Sequence, residues 1–455
     1  MSRTGLALLC LVLCALRAPA QQQDHIETWP DGSVRERYAV DAQGNRSGVY
    51  ESFDESGKPV WRGSYRAGRK QGTWLMLAPN GQVVERSNWR DDQRDGTQEL
   101  CHEDGKRKEL TTWKAGVLEG PFEELDETGQ WKRAGSYRKG LLHGDLKITQ
   151  ARKPLSKQSW ADGQLIKLDG IVDPFPLRED ALRSKLETVL GPAPDDTLDH
   201  EAERLAALRR LQAFRALCRL PYEEMSLEPR WNELCDAGAA LCAHIGHLDH
   251  TPKRPDDFDE ERYKLAYEGT SHSNLSVGPS MIYSVDNYMD DSDPSNIDRI
   301  GHRRWCLNPV MKKTGFGSSG SFSAMWSMDG SGKGTREIDA VMYPPPGWVP
   351  VDFFRAHIAW SIAPLKGGTP KKDDLRVRIR ALDENFLPQG EPLAIDYLNV
   401  AGGGYGSGPC IVFKPVGLIC EPDKVWLCEV STDGGKSDEW RYVVAFCAPI
   451  GAGRR

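Results

Sequence analysis

Histidine is the residue of this 455-residue chain most open to a chemical reading, and three of its ten histidines sit close together. His244, His247 and His250 recur three apart. On a helix such neighbours share a face, which makes either a metal-binding trio or an exposed polar stripe. The other chemical signatures are negative. No H-E-x-x-H, G-x-S-x-G or Walker sequence occurs, so zincin, α/β-hydrolase and P-loop readings have no support. The run Gly402-Gly403-Gly404-Tyr405-Gly406-Ser407-Gly408 lacks the strand–helix setting of a phosphate cradle and reads as a loop. No cysteine pair is spaced C-x-x-C. The formal net charge of −7, without a basic block, argues against nucleic-acid binding.

The chain begins with one early arginine, an apolar stretch from Leu6 to Leu16, and Ala18-Pro19-Ala20 before Gln21. This is the pattern of a secretory signal peptide over 1–20. A lipid anchor on Cys14 is disfavoured by the bulky Leu13 before it. No second long apolar run exists, so no transmembrane span is expected. The expected location is secreted or periplasmic. Nine cysteines follow the leader, an odd number, so disulfides with at least one thiol left over are expected.

Residues 48 to 170 repeat every 24 positions. Gly48, Gly72, Gly96, Gly120 and Gly144 fall on the period, as do Gly57, Gly81, Gly105 and Gly129. So do the aromatics Tyr65, Trp89, Trp113 and Tyr137, and the set Tyr50, Trp74, Gln98, Phe122 and Leu146. The inner glycines follow acidic or amide-rich turns, which suit positive backbone angles. The pattern predicts one β-hairpin per 24 residues, stacked into an extended sheet. The rings of the Trp113 register are expected either in the core or on a contact face.

After Asp173-Pro174-Phe175-Pro176 the pattern turns helical. Helices are predicted over 177–190, from 194 onward with Leu205, Leu208, Leu211, Phe214 and Cys218 inward, and after Ser226-Leu227-Glu228-Pro229 with Ser226 as cap. The last should bury Trp231 to Ile245, and another helix is expected near 282–289. Pro344-Pro345-Pro346-Gly347 breaks the composition. Beyond it Leu375, Val377, Ile379 and Ala381 alternate with arginines, and about six short strands suggest a β-sandwich.

The repeats resemble the MORN repeat and its bacterial variant, over about 26–167. That resemblance implies a contact surface for protein or lipid. From Leu211 to about Gly330 the chain resembles CAP domains, the SCP-like extracellular family. The resemblance is carried by Leu211-Gln212-Ala213-Phe214-Arg215, Gly246-His247-Leu248-Asp249-His250-Thr251, Ser273-Asn274-Leu275-Ser276-Val277-Gly278 and Gly301-His302-Arg303-Arg304-Trp305-Cys306-Leu307-Asn308-Pro309. It implies an α-β-α sandwich with two histidines and two acidic residues in one cleft. The histidines map to His250 and His302. The first acidic position is Ser273, followed by Asn274, and the second falls at Asp290 or Asp291. Two imidazoles could hold zinc or another divalent metal.

The expected fold class is multidomain α+β. Its segments are a leader at 1–20, MORN-like repeats at 26–167, a helical linker at 173–196, a CAP/SCP-like domain at 197–343 and a β-sandwich at 350–450. The expected function is a secreted modular binding protein contacting an extracellular protein, lipid or envelope polymer. A metal-assisted hydrolase acting in the CAP cleft is the alternative.

Overall fold

The computed structural model describes residues 23–192 and 198–450. The signal-peptide reading over 1–20 lies outside the described residues. The chain is mostly β and divides into two compact units, one up to Gly170 and one from Ile171 on. No described helix is long and apolar enough to cross a membrane.

The first unit is built on a long antiparallel sheet whose main strands pair in chain order, with two short strands, Val117–Leu118 and Leu141–Leu142, off that path. Two turn types alternate along it. In the first, an acidic side chain closes a loop that ends in a left-handed glycine. Asp54 accepts the Ser56 and Lys58 amides, and Gly57 has φ +79°. Asp126, which accepts the Gln130 amide, and Gly129 close the matching turn three repeats later. In the second, both central residues have positive φ, as at Ala67-Gly68 and Ala115-Gly116. Such two-residue turns match the twist of the strands they join.

Tyr50, Trp74, Gln98, Phe122 and Leu146 form the buried register. Tyr65, Trp89, Trp113 and Tyr137 are only half-buried. Cations run between the rings of this second row: Lys70 lies 4.7 Å from Trp89, and Arg94 lies over both Trp89 and Trp113. The Trp89 and Trp113 indole N–H groups donate to Ser87 and Thr111. The large buried residues face small ones across the ladder, Tyr50 against Gly63, Trp74 against Ser87 and Phe122 against Gly135. A Cβ on Gly63 would lie 2.3 Å from the Trp74 ring. Positions 63, 87, 111 and 135 thus make a small-residue register on the same 24-residue period.

Glu109 and Glu124 stand directly opposite each other on neighbouring strands. Burial, then the Glu124 carboxylate, hold the Glu109 carboxyl above its ordinary value. A carboxyl raised in the folded state binds its proton more tightly there, so this group favours folding as pH falls and opposes it when ionised. Glu109→Gln is therefore expected to raise the thermal midpoint at pH 7 and to leave it little changed at pH 3. A lowered midpoint at pH 7 would contradict this.

In the second unit six helices are described: α1 Glu179–Leu190, α2 His200–Leu217, α3 Pro229–Ile245, α4 Glu260–Ser271, α5 Met281–Asp290 and α6 Gly301–Cys306. Asp199 caps α2 through the Ala202 amide, and part of the start expected at 194 lies outside the described residues. Leu205 is exposed rather than inward, while Leu208, Leu211, Phe214 and Cys218 are buried. Ser226 is not a cap. It pairs in parallel with Lys313 in a two-residue strand, and α3 starts after Glu228 with Pro229 in its first turn. Trp231 and Ile245 at its ends are half-buried rather than core.

A three-stranded sheet, Ser273–Val277, Phe322–Trp326 and Phe316–Ser319 in that order, separates two clusters of side chains. Leu275, Ala324 and Trp326 pack with Leu234, Cys235, Ala239 and Cys242 of α3. Phe316 and Met325 pack with residues of α2 and α5. Strand alternation produces this division, because successive side chains leave opposite faces.

Two further sheets, of four and five strands, occupy 340–447. Residues from both, among them Trp360, Phe413, Ile379 and Phe446, share one core with Leu182, Leu211 and Phe214 of the helices. Described residues on both sides of the breaks expected at 173–196 and 343–350 therefore share one packed core, and Tyr343 itself belongs to a strand that pairs with Trp360–Pro364. All nine described cysteines are thiols, a correction to the expected disulfides. Most are buried, and burial pushes the Cys218 and Cys235 thiols up to about 12. Such thiols are poor nucleophiles.

Candidate functional site

The three histidines do not share a helix face as a metal trio would need, while His244 and His247 are exposed, the other outcome their spacing allowed. α3 ends at Ile245 because Gly246 takes the left-handed conformation, φ +78°, of a helix stop. His244 remains on the helix, 3.2 Å from Asp257 and against the Phe258 ring. His247 bonds the Ile245 carbonyl. His250 is carried away by the loop, and its Nδ1 lies 3.0 Å from the Thr270 carbonyl oxygen at the end of α4. In return the Thr270 hydroxyl donates to the His250 carbonyl.

That loop brings His250 to His302, with ring centroids 6.4 Å apart. His302 sits in the first turn of α6. Its Nδ1 lies 2.9 Å from Asp291 Oδ1, and the other carboxylate oxygen accepts the Arg303 amide. The Asp291 side chain is 1% exposed and that of His302 21%. Asp291 terminates α5 with φ +46°, and Ile300, just before α6, has φ +41°. A branched side chain rarely adopts that region, so surrounding contacts hold the turn there. Those contacts include Arg303, fully buried, which donates to the Met289, Asp290 and Ala359 carbonyls.

The two anchors dictate the state of both rings. A carbonyl only accepts, so His250 Nδ1 carries the proton; a carboxylate imposes the same on His302. In its neutral form each ring would have Nε2 as its lone-pair donor. This is the second-sphere arrangement that orients histidine ligands. A tetrahedral ion bound by both at about 2.1 Å would hold the centroids roughly 5 Å apart. The observed separation of 6.4 Å is wider than that. Among the described residues no group of three or more His, Cys, Asp or Glu side chains is placed to hold a metal ion.

Of the other expected site residues, Asn274 supports the wall: its amide donates to the His302 carbonyl and its carbonyl accepts from Tyr288, whose ring lies 5.6 Å from that of His302. Asn274 itself is buried. Ser273 departs from the expectation that it lines the same pocket as the histidines. One residue along the strand from Asn274, it leaves the opposite face and meets Cys235 of α3 at 3.5 Å. A glutamate there would be buried among Leu234, Cys235 and Ala239, so Ser273→Glu is expected to destabilise the fold rather than complete a site.

The arginines of these motifs are struts. Arg215 is fully buried on α2 and donates to the carbonyls of Pro221, Cys306, Asn308 and Met311. Arg304 donates to the Gly402 and Gly408 carbonyls, and Gly406 passes so close to the Arg304 carbonyl that a Cβ would lie 2.1 Å from it. The glycine run is therefore a strap over α6. No family model matches the chain, and no curated protein matches it.

Proposed function

We propose that the chain is a secreted or periplasmic modular binding protein that captures its ligand through the His250/His302 pair. In this reading residues 197–343 form a CAP-like α-β-α sandwich, 350–450 a β-sandwich, and 26–167 a MORN-type sheet that offers a second contact surface. The ligand is an extracellular protein, lipid or envelope polymer. Zinc or another divalent ion would be held by the two Nε2 atoms and would supply a positive centre for an anionic group of that ligand.

The observation that carries the reading is that both Nδ1 atoms are engaged, on Thr270 and on Asp291, in two rings whose centroids lie 6.4 Å apart, which leaves both Nε2 atoms for a ligand. Helices on both sides of the small sheet support the CAP-like reading. Capture is favoured over hydrolysis because Asp291 is engaged in orienting His302 and Ser273 faces Cys235. Neither is positioned as a general base on the histidine wall.

Titration calorimetry of the full chain with zinc tests this. One site is expected in the parent and none in the His250→Ala/His302→Ala double variant. Asp291→Ala is expected to weaken binding by about 10–100-fold, the usual cost of removing an orienting partner. Zinc binding unchanged in the double variant would end the proposal. Zinc-dependent cleavage of a peptide or envelope polymer by the parent would favour the hydrolase instead.

A further inference from the structure

A second candidate site lies in the same unit and shares no residue with the histidine pair. A cavity of about 770 Å³ opens between α1, the end of α2, the loop that follows it and the segment 331–337. That volume is in the range of small-molecule sites. Its floor is apolar and already buried: Leu182, Leu217, Leu220, Met225 and Met311. The two methionines can adjust to the shape of an occupant. Trp348 and Tyr222 provide aromatic walls.

The rim has a different character. Lys185, Arg219, Lys312 and Lys333 reach it, with Glu223, Glu224 and Glu337. Lys312 and Glu224 neutralise each other at 2.9 Å. Among the described residues, Lys185, Arg219 and Lys333 form no ion pair; Lys185 rests on the Tyr222 ring at 5.0 Å. Three cations against two carboxylates remain at the mouth. Arg219 is put there by a left-handed backbone, φ +59°, just beyond α2. A non-glycine residue in that region is unusual and is held by its surroundings. Here Leu220, the next residue, returns to the Arg215 carbonyl and plugs the floor.

We infer that this cavity binds an amphipathic carboxylate, with its apolar body on the methionine and leucine floor and its head group at the Lys185, Arg219 and Lys333 rim. Apolar burial supplies the affinity, and the unpaired cations select the charge of the head.

The test uses the full chain and dodecanoate, compared with dodecanol and dodecylamine, each read by displacement of a fluorescent apolar probe. Dodecanoate is expected to bind at least tenfold more tightly than either comparator. The Arg219→Gln/Lys333→Gln variant changes two exposed side chains, so its fold is expected to survive. It should lose that preference while dodecanol binding stays the same. Equal affinity for all three compounds would overturn the head-group assignment, and no displacement by any of them would overturn the site. The His250→Ala/His302→Ala variant should bind dodecanoate as the parent does, so failure here and failure of the zinc site are distinguishable. Loss of dodecanoate binding in that variant would place the ligand elsewhere and overturn the inference.

Discussion

Trp74→Ala is expected to destabilise the first unit by about 3–5 kcal/mol, the range for deleting a large aromatic from a packed core. The ring is 2% exposed and touches Tyr50, Tyr65 and Trp61, with centroids 5.0–6.4 Å away. Its N–H donates to the Ser64 carbonyl, and the Lys70 ammonium lies 4.3 Å from its centre. The sheet cannot close over the space, because the residue beside the ring is Gly63, which has no side chain to move. Trp113 is the control. It is half-buried, with Arg94 on one side and a hydrogen bond to Thr111, so Trp113→Ala should cost clearly less, about 1–2 kcal/mol. Denaturant unfolding of both variants decides the order. If Trp113→Ala costs as much as Trp74→Ala, the half-buried row is the core and the assignment of registers is wrong.

The repeat was legible because its constraints are local. A left-handed backbone at Gly57, Gly81, Gly105 and Gly129 excludes most side chains, and that leaves a mark at each period. The partner register at 63, 87, 111 and 135 is equally periodic but leaves no comparable mark in the sequence. Glycine, serine, threonine and glycine share only smallness, and their role appears only when a neighbouring strand brings a ring against them. The aromatic rows illustrate the same difficulty. Composition does not tell Trp74 from Trp113; ladder register does, since it sets which row meets small residues and which meets cations.

The candidate site was legible in part. Motif order brought out His250 and His302, and Asp291 proved to be the acidic partner of one of them. The trio with His244 and His247 failed at Gly246, whose helix-stopping preference was present in the sequence. Ser273 failed through alternation: with Asn274 facing His302, its neighbour must face α3. The Pro344-Pro345-Pro346 run looked like a boundary because proline interrupts regular structure. Which core the flanking strands enter is a long-range property, and Tyr343 and Val349 enter the same one.

Arg303→Ala should have the largest effect in the second unit, about 3–5 kcal/mol or more. The guanidinium is fully buried and forms no ion pair among the described residues, although the Asp290 and Asp291 carboxylates lie in its field. It donates to the carbonyls of Met289, Asp290 and Ala359 and to the hydroxyls of Ser292 and Ser361. Alanine would remove all five bonds, with only the Asp290 carbonyl and the Ser292 hydroxyl keeping another donor, and open a cavity, and both terms act in the same direction. Arg303→Lys should recover little, since one ammonium cannot serve partners spread over two helix-terminal carbonyls and a strand. The consequence for the site is separate from the loss of stability. Met289 and Asp290 precede Asp291, whose left-handed turn aims its carboxylate at His302. Without the strut, that carboxylate loses its fixed direction. Zinc affinity measured on the folded fraction, at a temperature well below the variant's midpoint, is therefore expected to fall about as far as in Asp291→Ala. A variant that is strongly destabilised yet binds zinc as the parent does would show that Arg303 supports the core alone. The Asp291–His302 pair would then be held by the α5 and α6 backbones without it.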